Sequence, residues 1–189
     1  MHTPCGKINI LLPLLGYQNI SNALAASALA FCLKIPLQQI KVGLSTTPII
    51  PGRLESIEIN PNKIIINDTY NSNVSSTISA IKVLEKMPGY KILVIGNMEE
   101  LGKNSILYHK MIGNIASISK IDKIFSFGKK SYTISKMCQN GVHFLEKKKI
   151  KEILKKIISK KNKITVLIKG SRKTKMETII KYLLKELKK

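Results

Sequence analysis

The 189-residue chain has no tryptophan, four phenylalanines and six tyrosines, so aromatics make up only 5% of it. Isoleucine and leucine must therefore fill the core. Its three cysteines, Cys5, Cys32 and Cys138, are odd in number and lack metal-type spacing. That excludes a disulfide framework and a zinc centre built on cysteine pairs, and it suits reduced thiols in a cytosolic protein. No apolar run approaches about 18 residues, so nothing reads as a membrane span. The opening "MHTPCGKINILLPLL" has no charged start, long apolar stretch and small-residue cleavage site in succession, so it does not read as a secretory signal.

Acidic residues are scarce as well, with 11 Asp and Glu against 32 Lys and Arg, for a formal charge of +21. Residues 1–110 hold ten basic and six acidic side chains; residues 111–189 hold twenty-two and five. Much of the excess lies in "EKKKIKEILKKIISKKNK", where Ile150, Ile153, Leu154, Ile157 and Ile158 recur at helical spacing with lysines between them. Such a pattern reads as the solvated face of an amphipathic helix. No aromatics interleave with the lysines, which argues against a surface that stacks nucleic-acid bases.

"KINILLPLL" reads as a strand closed by Pro13, and "NISNALAASALAFCLK" as a helix capped by Asn19 or Ser21. "PLQQIKVGLS" follows as a second helix. "TTPIIPGR" is the clearest linker and places a boundary between residues 1–50 and 52–189. One strand and two helices leave residues 1–50 too much uncovered apolar surface for a domain, so they read as the end of a larger one. Beyond the linker, strands alternate with helices: "SIEI" and "KIIIN", then "YKILVIG", "KIFSFG", "VHFL" and "KITVLIKG". The last helix runs through "TKMETIIKYLLKELKK". The expected class is α/β, a Rossmann-like, mostly parallel sheet with helices on both faces.

Ligands of an open parallel sheet sit outside the carboxyl ends of the strands. Four strands end in polar clusters, "INDTYNSN", "ILVIGNMEELG", "IFSFGKKS" and "VLIKGSR", which together supply Asp68, Tyr70, Asn71, Asn97, Glu100, Lys129, Lys169, Ser171 and Arg172. Carboxylates, amides and cations without a Cys or His pair suit a polar or phosphorylated ligand better than a transition metal. Neither "GNMEELGKN" nor "FGKKS" meets the G-x-x-x-x-G-K-[ST] spacing of a phosphate loop. His2, His109 and His143 stand alone and read as structural or exposed.

The segments "GYQNISNALAASALA", "PGRLE", "NDTYNSN", "VIGNMEELG" and "IKGSRKTKME", in this order, resemble the Mur ligase family. These are ATP-dependent amide ligases of cytoplasmic peptidoglycan synthesis. The last three segments resemble the branch that joins D-alanyl-D-alanine to UDP-N-acetylmuramoyl-tripeptide through an acyl phosphate. The resemblance implies that residues 1–50 are the end of a central ATPase domain and 52–189 the carboxyl-terminal domain. It implies ATP and Mg2+ as cofactors, with most metal ligands outside these residues. Asn19, Asn22, Arg53, Asp68, Tyr70 and Asn71 would hold the nucleotide, and Arg53 and Asp68 would serve catalysis. Asn73, Asn97, Glu100, Lys169, Ser171 and Arg172 would line the dipeptide region. Gln18 stands where many relatives have His, and Asn97 where the related motif has Asp. Without a phosphate loop the chain is expected to be inactive alone and to need a partner, such as a separate chain, that carries that loop and the first domain. A non-catalytic basic module that binds nucleic acid, or a degenerate remnant, are the alternatives.

Overall fold

The computed structural model describes residues 1–187, and the chain divides into two units, Met1–Ile50 and Pro51–Lys189. In the first unit a short hairpin pairs β1 (His2–Thr3) with β2 (Gly6–Lys7). The strand expected from Lys7 to Leu15 stops at Lys7. No other strand lies alongside Ile8–Leu15 among the described residues, so that apolar stretch has no ladder to join. Two helices follow, α1 (Tyr17–Cys32) and α2 (Leu37–Ser45). The expected caps are corrected too: α1 is opened by Gly16 at φ 94°, and Asn19 lies inside its first turn. From there the Asn19 amide donates back to the Leu15 carbonyl at 2.7 Å.

In the second unit β3 (Glu55–Asn60) turns back on β4 (Lys63–Asp68) as an antiparallel hairpin. Five more helices and four more strands follow: α3 (Val74–Lys86), β5 (Tyr90–Gly96), α4 (Ser105–Ser117), β6 (Lys123–Phe127), α5 (Tyr132–Lys136), β7 (Gly141–Phe144), α6 (Lys147–Lys160), β8 (Ile164–Lys169) and α7 (Glu177–Leu187). The expected last two residues of that helix, Lys188 and Lys189, lie outside the described residues. The sheet order is β3-β4-β8-β5-β6-β7, with every pair after the first hairpin parallel.

Every residue of β8 is buried, as expected of a strand covered on both faces. Alternation divides the apolar side chains between the faces. Ile65, Ile92, Val94, Phe125, Ile164, Val166 and Ile168 form one cluster with Ile150, Leu154 and Ile158 of α6 and Ile179, Ile180 and Leu183 of α7. Their neighbours Ile66, Leu93, Ile95 and Leu167, also buried, turn to the other face, where α3 approaches β5 and β8. At about 1.5–3 kcal/mol for each large apolar side chain buried, these two layers are the main stabilising term. The lysines of α6 fall opposite its buried stripe, so the charge run is a solvated face. Asp68 and Ile95 both register with Lys169, and Gly96 with Phe127, so β4, β8, β5 and β6 end on one edge.

Candidate functional site

Two glycines set how closely the loops of this edge approach. A Cβ on Gly170 would lie 2.6 Å from Thr174 Oγ1 and 2.7 Å from Met176 Cγ, and one on Gly96 would lie 2.9 Å from the same hydroxyl. Their absence lets the 3-10 turn Arg172–Thr174 fold down over the ends of β5 and β8. Thr174 Oγ1 and N–H both donate to the Ser171 carbonyl, at 2.6 and 2.9 Å, and the Ser171 N–H donates to the Asn97 carbonyl at 3.1 Å.

Beneath that turn lies a buried ion pair. Lys169, 1% exposed, donates to Asp68 Oδ2 at 2.7 Å and to the Asn71 carbonyl at 3.0 Å. Asp68, 8% exposed, also accepts the Leu54 N–H on Oδ1 at 3.2 Å. Burial pushes the Lys169 ammonium below the usual lysine range, with Asp68 opposing and Arg53 adding to the shift. Leu54 has φ 49°, a left-handed conformation that costs a residue with a side chain roughly 1–2 kcal/mol. The bond to Asp68 holds it there, as do those from Gly52 N–H to Glu55 (3.0 Å) and from Tyr70 N–H to the Gly52 carbonyl (3.1 Å). The exposed Arg53 guanidinium lies 4.4 Å from the centre of the Tyr70 ring, a cation–π contact that aims it along the same edge.

After β5 the backbone is tied down from three sides. Asn97 Oδ1 accepts the Ser131 N–H at 3.1 Å, and its Nδ2 donates to Glu99 Oε1 at 3.2 Å. Glu99 Oε2 pairs with Lys130 at 2.8 Å. The hydrogen bond from Lys130 holds the Glu99 carboxyl below its usual range, while partial burial works in the opposite direction. His109, fully buried on α4, accepts the Met98 N–H on Nε2 at 3.1 Å, which leaves Nδ1–H to donate to the Ser105 carbonyl at 2.7 Å. The bond accepted on Nε2 requires the neutral imidazole, and burial keeps its pKa below the usual histidine range.

Around these supports opens a cavity of about 310 Å³, at the small end of ligand sites, lined by Tyr70, Asn71, Glu99, Glu100, Ser171, Arg172 and Lys173. Its two carboxylates come from the loop after β5 and its two cations from the turn after β8. Of the residues expected to line a site, Tyr70, Asn71, Glu100, Ser171 and Arg172 do so. Lys169 lies under the cavity and Asn97 beside it, each committed to the bonds above. Asn73 caps α3: its Oδ1 accepts the Ser76 N–H at 2.8 Å, and Ser76 Oγ accepts the Asn73 N–H at 3.1 Å. Asn22 Nδ2 donates to Asn19 Oδ1 at 3.3 Å one turn away on α1, within the first unit. Glu99, Lys130 and Lys173 were not singled out by the sequence, which pointed to Lys129, an exposed residue outside the lining. The signal for Glu99 was its place beside Glu100 in "NMEEL".

Residues 52–172 match the family model described as "Mur ligase, glutamate ligase domain". The chain belongs to the Mur ligase family. A curated relative, the UDP-N-acetylmuramoyl-tripeptide--D-alanyl-D-alanine ligase of Buchnera aphidicola subsp. Acyrthosiphon pisum (strain APS), is 68% identical over 189 residues, which is 100% of this chain and 42% of the relative. Among solved structures, MurF from Acinetobacter baumannii aligns at TM-score 0.89 and 32% identity over 97% of this chain and 41% of that one. MurF ligase from Thermotoga maritima in complex with ADP shares the fold at TM-score 0.80 and 24% identity, over 92% of this chain and 39% of that one. This Mur ligase chain thus spans about two fifths of the length of the relatives it matches.

No three His, Cys, Asp or Glu side chains converge as a metal site among the described residues of this Mur ligase chain. Asp68 and Glu99 are each committed to a lysine. These carboxylates do not make the oxygen cage that Mg2+ requires, so no step is assigned to a metal on this edge. No helix among the described residues is long and apolar enough to cross a membrane.

Proposed function

We propose that this chain supplies the amine-accepting side of an ATP-dependent Mur ligase that joins D-alanyl-D-alanine to UDP-N-acetylmuramoyl-tripeptide in the cytoplasm. The observation that carries this reading is the cavity of mixed charge at the carboxyl edge, set over the buried Asp68–Lys169 pair. The Buchnera relative's name supplies the substrates. When bound, ATP would supply the phosphoryl group that activates the tripeptide carboxylate, and phosphate would leave as the dipeptide amine forms the amide bond.

The chain's own residues bind and orient. Arg53 is suited to phosphate oxygens by a planar, permanently charged fork, and its N–H groups make no hydrogen bond among the described residues. Asp68 retains lone pairs for a ribose hydroxyl beside its two existing bonds. Tyr70 and Asn71 stand on the same loop, and Asn19 and Asn22 of α1 are assigned to the nucleotide as well. Residues 1–50 are read as the end of the central ATPase domain, and 52–189 as the carboxyl-terminal domain. Leu29 and Leu33, 70% and 74% exposed on and just after α1, support that division, because a larger domain would cover them. Mg2+ would be held mainly by residues outside this chain.

No phosphate loop lies within the 189 residues, and the reading assigns that loop to residues outside them. The test is phosphate release from ATP with both substrates, for this chain alone and after addition of a separately made piece bearing the first domain and the phosphate loop. Release in the mixture only is the expected result. Silence in both, with each piece shown to be folded, overturns the proposal.

A further inference from the structure

The cavity carries its two signs of charge on opposite loops, and its four charged groups are unequally free. Glu99 spends one oxygen on Lys130 and the other on Asn97. Glu100 has no ion pair or hydrogen bond among the described residues, yet its backbone sits at φ 62°, a conformation uncommon for any residue but glycine. It is the free carboxylate of the cavity, presented by a strained backbone. Such strain recurs where the surroundings hold a side chain for a purpose. On the facing turn Arg172 makes a single 3.4 Å contact with Glu177, and Lys173 makes no hydrogen bond or ion pair among the described residues, its charge acting on Glu99 only from a distance. Ser171 between them and β8 is 4% exposed, and its Oγ has no hydrogen-bond partner, an uncommon state for a buried hydroxyl.

We infer that the cavity reads a short zwitterion by polarity: Glu100 takes the ammonium group of the incoming dipeptide, and Ser171, Arg172 and Lys173 take its carboxylate. The inference rests on the placement of D-alanyl-D-alanine in this cavity. Glu99, locked by Lys130, positions the loop without touching the ligand. The reversed orientation would set the carboxylate against Glu100 and the ammonium against Arg172 and Lys173. Like-charge juxtaposition of that kind discriminates between binding modes by rejection. Glu100 and Lys173 are thus specificity-determining residues. They exclude amines without a carboxylate at dipeptide distance and acids without a free amine.

The test titrates the 189-residue chain, with ATP present, with three probes: D-alanyl-D-alanine, its N-acetyl derivative and its C-terminal amide. Glu100→Gln keeps shape and backbone while removing charge. It should weaken the free dipeptide about tenfold or more, the value of a charge-assisted hydrogen bond, and leave the already weaker N-acetyl probe unchanged. Lys173→Gln should weaken the free dipeptide and leave the amide unchanged. Equal dipeptide affinity in E100Q and the parent chain overturns the polarity, as does a loss that the N-acetyl probe shares. Failure of the parent chain to bind the dipeptide overturns the placement of the dipeptide itself, a distinct outcome.

Discussion

Lys169→Met tests the support of the site most directly. The substitution keeps a long apolar stem and deletes the ammonium beneath the cavity. Asp68, only 8% exposed, would keep a single hydrogen bond, the 3.2 Å one from Leu54, and the Asn71 carbonyl would lose its 3.0 Å donor. Removing one partner of a buried pair costs about 3–5 kcal/mol, because the remaining charge stays buried and unpaired. Set against a domain stability of roughly 5–15 kcal/mol, that is a large fraction. With a urea slope of about 2 kcal/mol per molar it lowers the midpoint by roughly 2 M. Five of the six tyrosines lie beyond residue 50, so tyrosine fluorescence follows the second unit. Asp68→Asn with Lys169→Met should recover most of the loss, since a neutral amide can still accept from Leu54. A single-variant cost under about 1 kcal/mol, or a double variant equal to the sum of the singles, would refute the account of this pair.

Acid should loosen the loop after β5 through His109. Its folded pKa lies below the ordinary histidine value, through burial and the nearby Lys130 against the opposing Ser105 carbonyl and Glu99. Between the two values the unfolded chain binds more protons, so stability rises with pH across that window and falls as pH drops below about 6.5. The slope should shrink in His109→Gln, as read from urea midpoints at pH 7.5 and 5.5; His143, shifted the same way, leaves a residue of it. Cys138 is buried and its thiol is pushed up to about 11, so Ellman's reagent should label the exposed Cys5 and Cys32 promptly and Cys138 only on unfolding. Asn73→Ala removes a capping box and should cost about 1 kcal/mol in the same urea assay.

β5 and β8 are legible in the sequence because burial on both faces leaves unbroken runs of Ile, Leu and Val. The clustering of β4, β5, β6 and β8 at one edge follows from parallel pairing, and with it the meeting of Tyr70, Asn71, Glu100, Ser171 and Arg172. Ile8–Leu15 has the same apolar character as those strands, but a strand needs a neighbour, and periodicity says nothing of neighbours. The burial of Lys169 is hidden from the sequence for a related reason: lysine is ordinarily exposed, and only the register that sets it beside Asp68 shows why this one is buried. Asn73 and Asn71 look alike in "TYNSN", yet one caps a helix and the other faces the cavity. Lys130 rather than Lys129 reaches Glu99, a one-residue distinction in the short turn before α5 that composition cannot make.

The position of β8 has a consequence for how the molecule comes into being. It is the last strand among the described residues and sits in the middle of the sheet, between β4 and β5. Until it emerges from the ribosome, the nascent chain holds two half-sheets, β3–β4 and β5–β6–β7, each with an unpaired inner edge open to wrong partners. Joining them closes a loop of 101 residues from Asp68 to Lys169, a non-local step that slows folding. The cavity is therefore a late product of synthesis, formed when the final strand slots into a gap its neighbours have had to leave open.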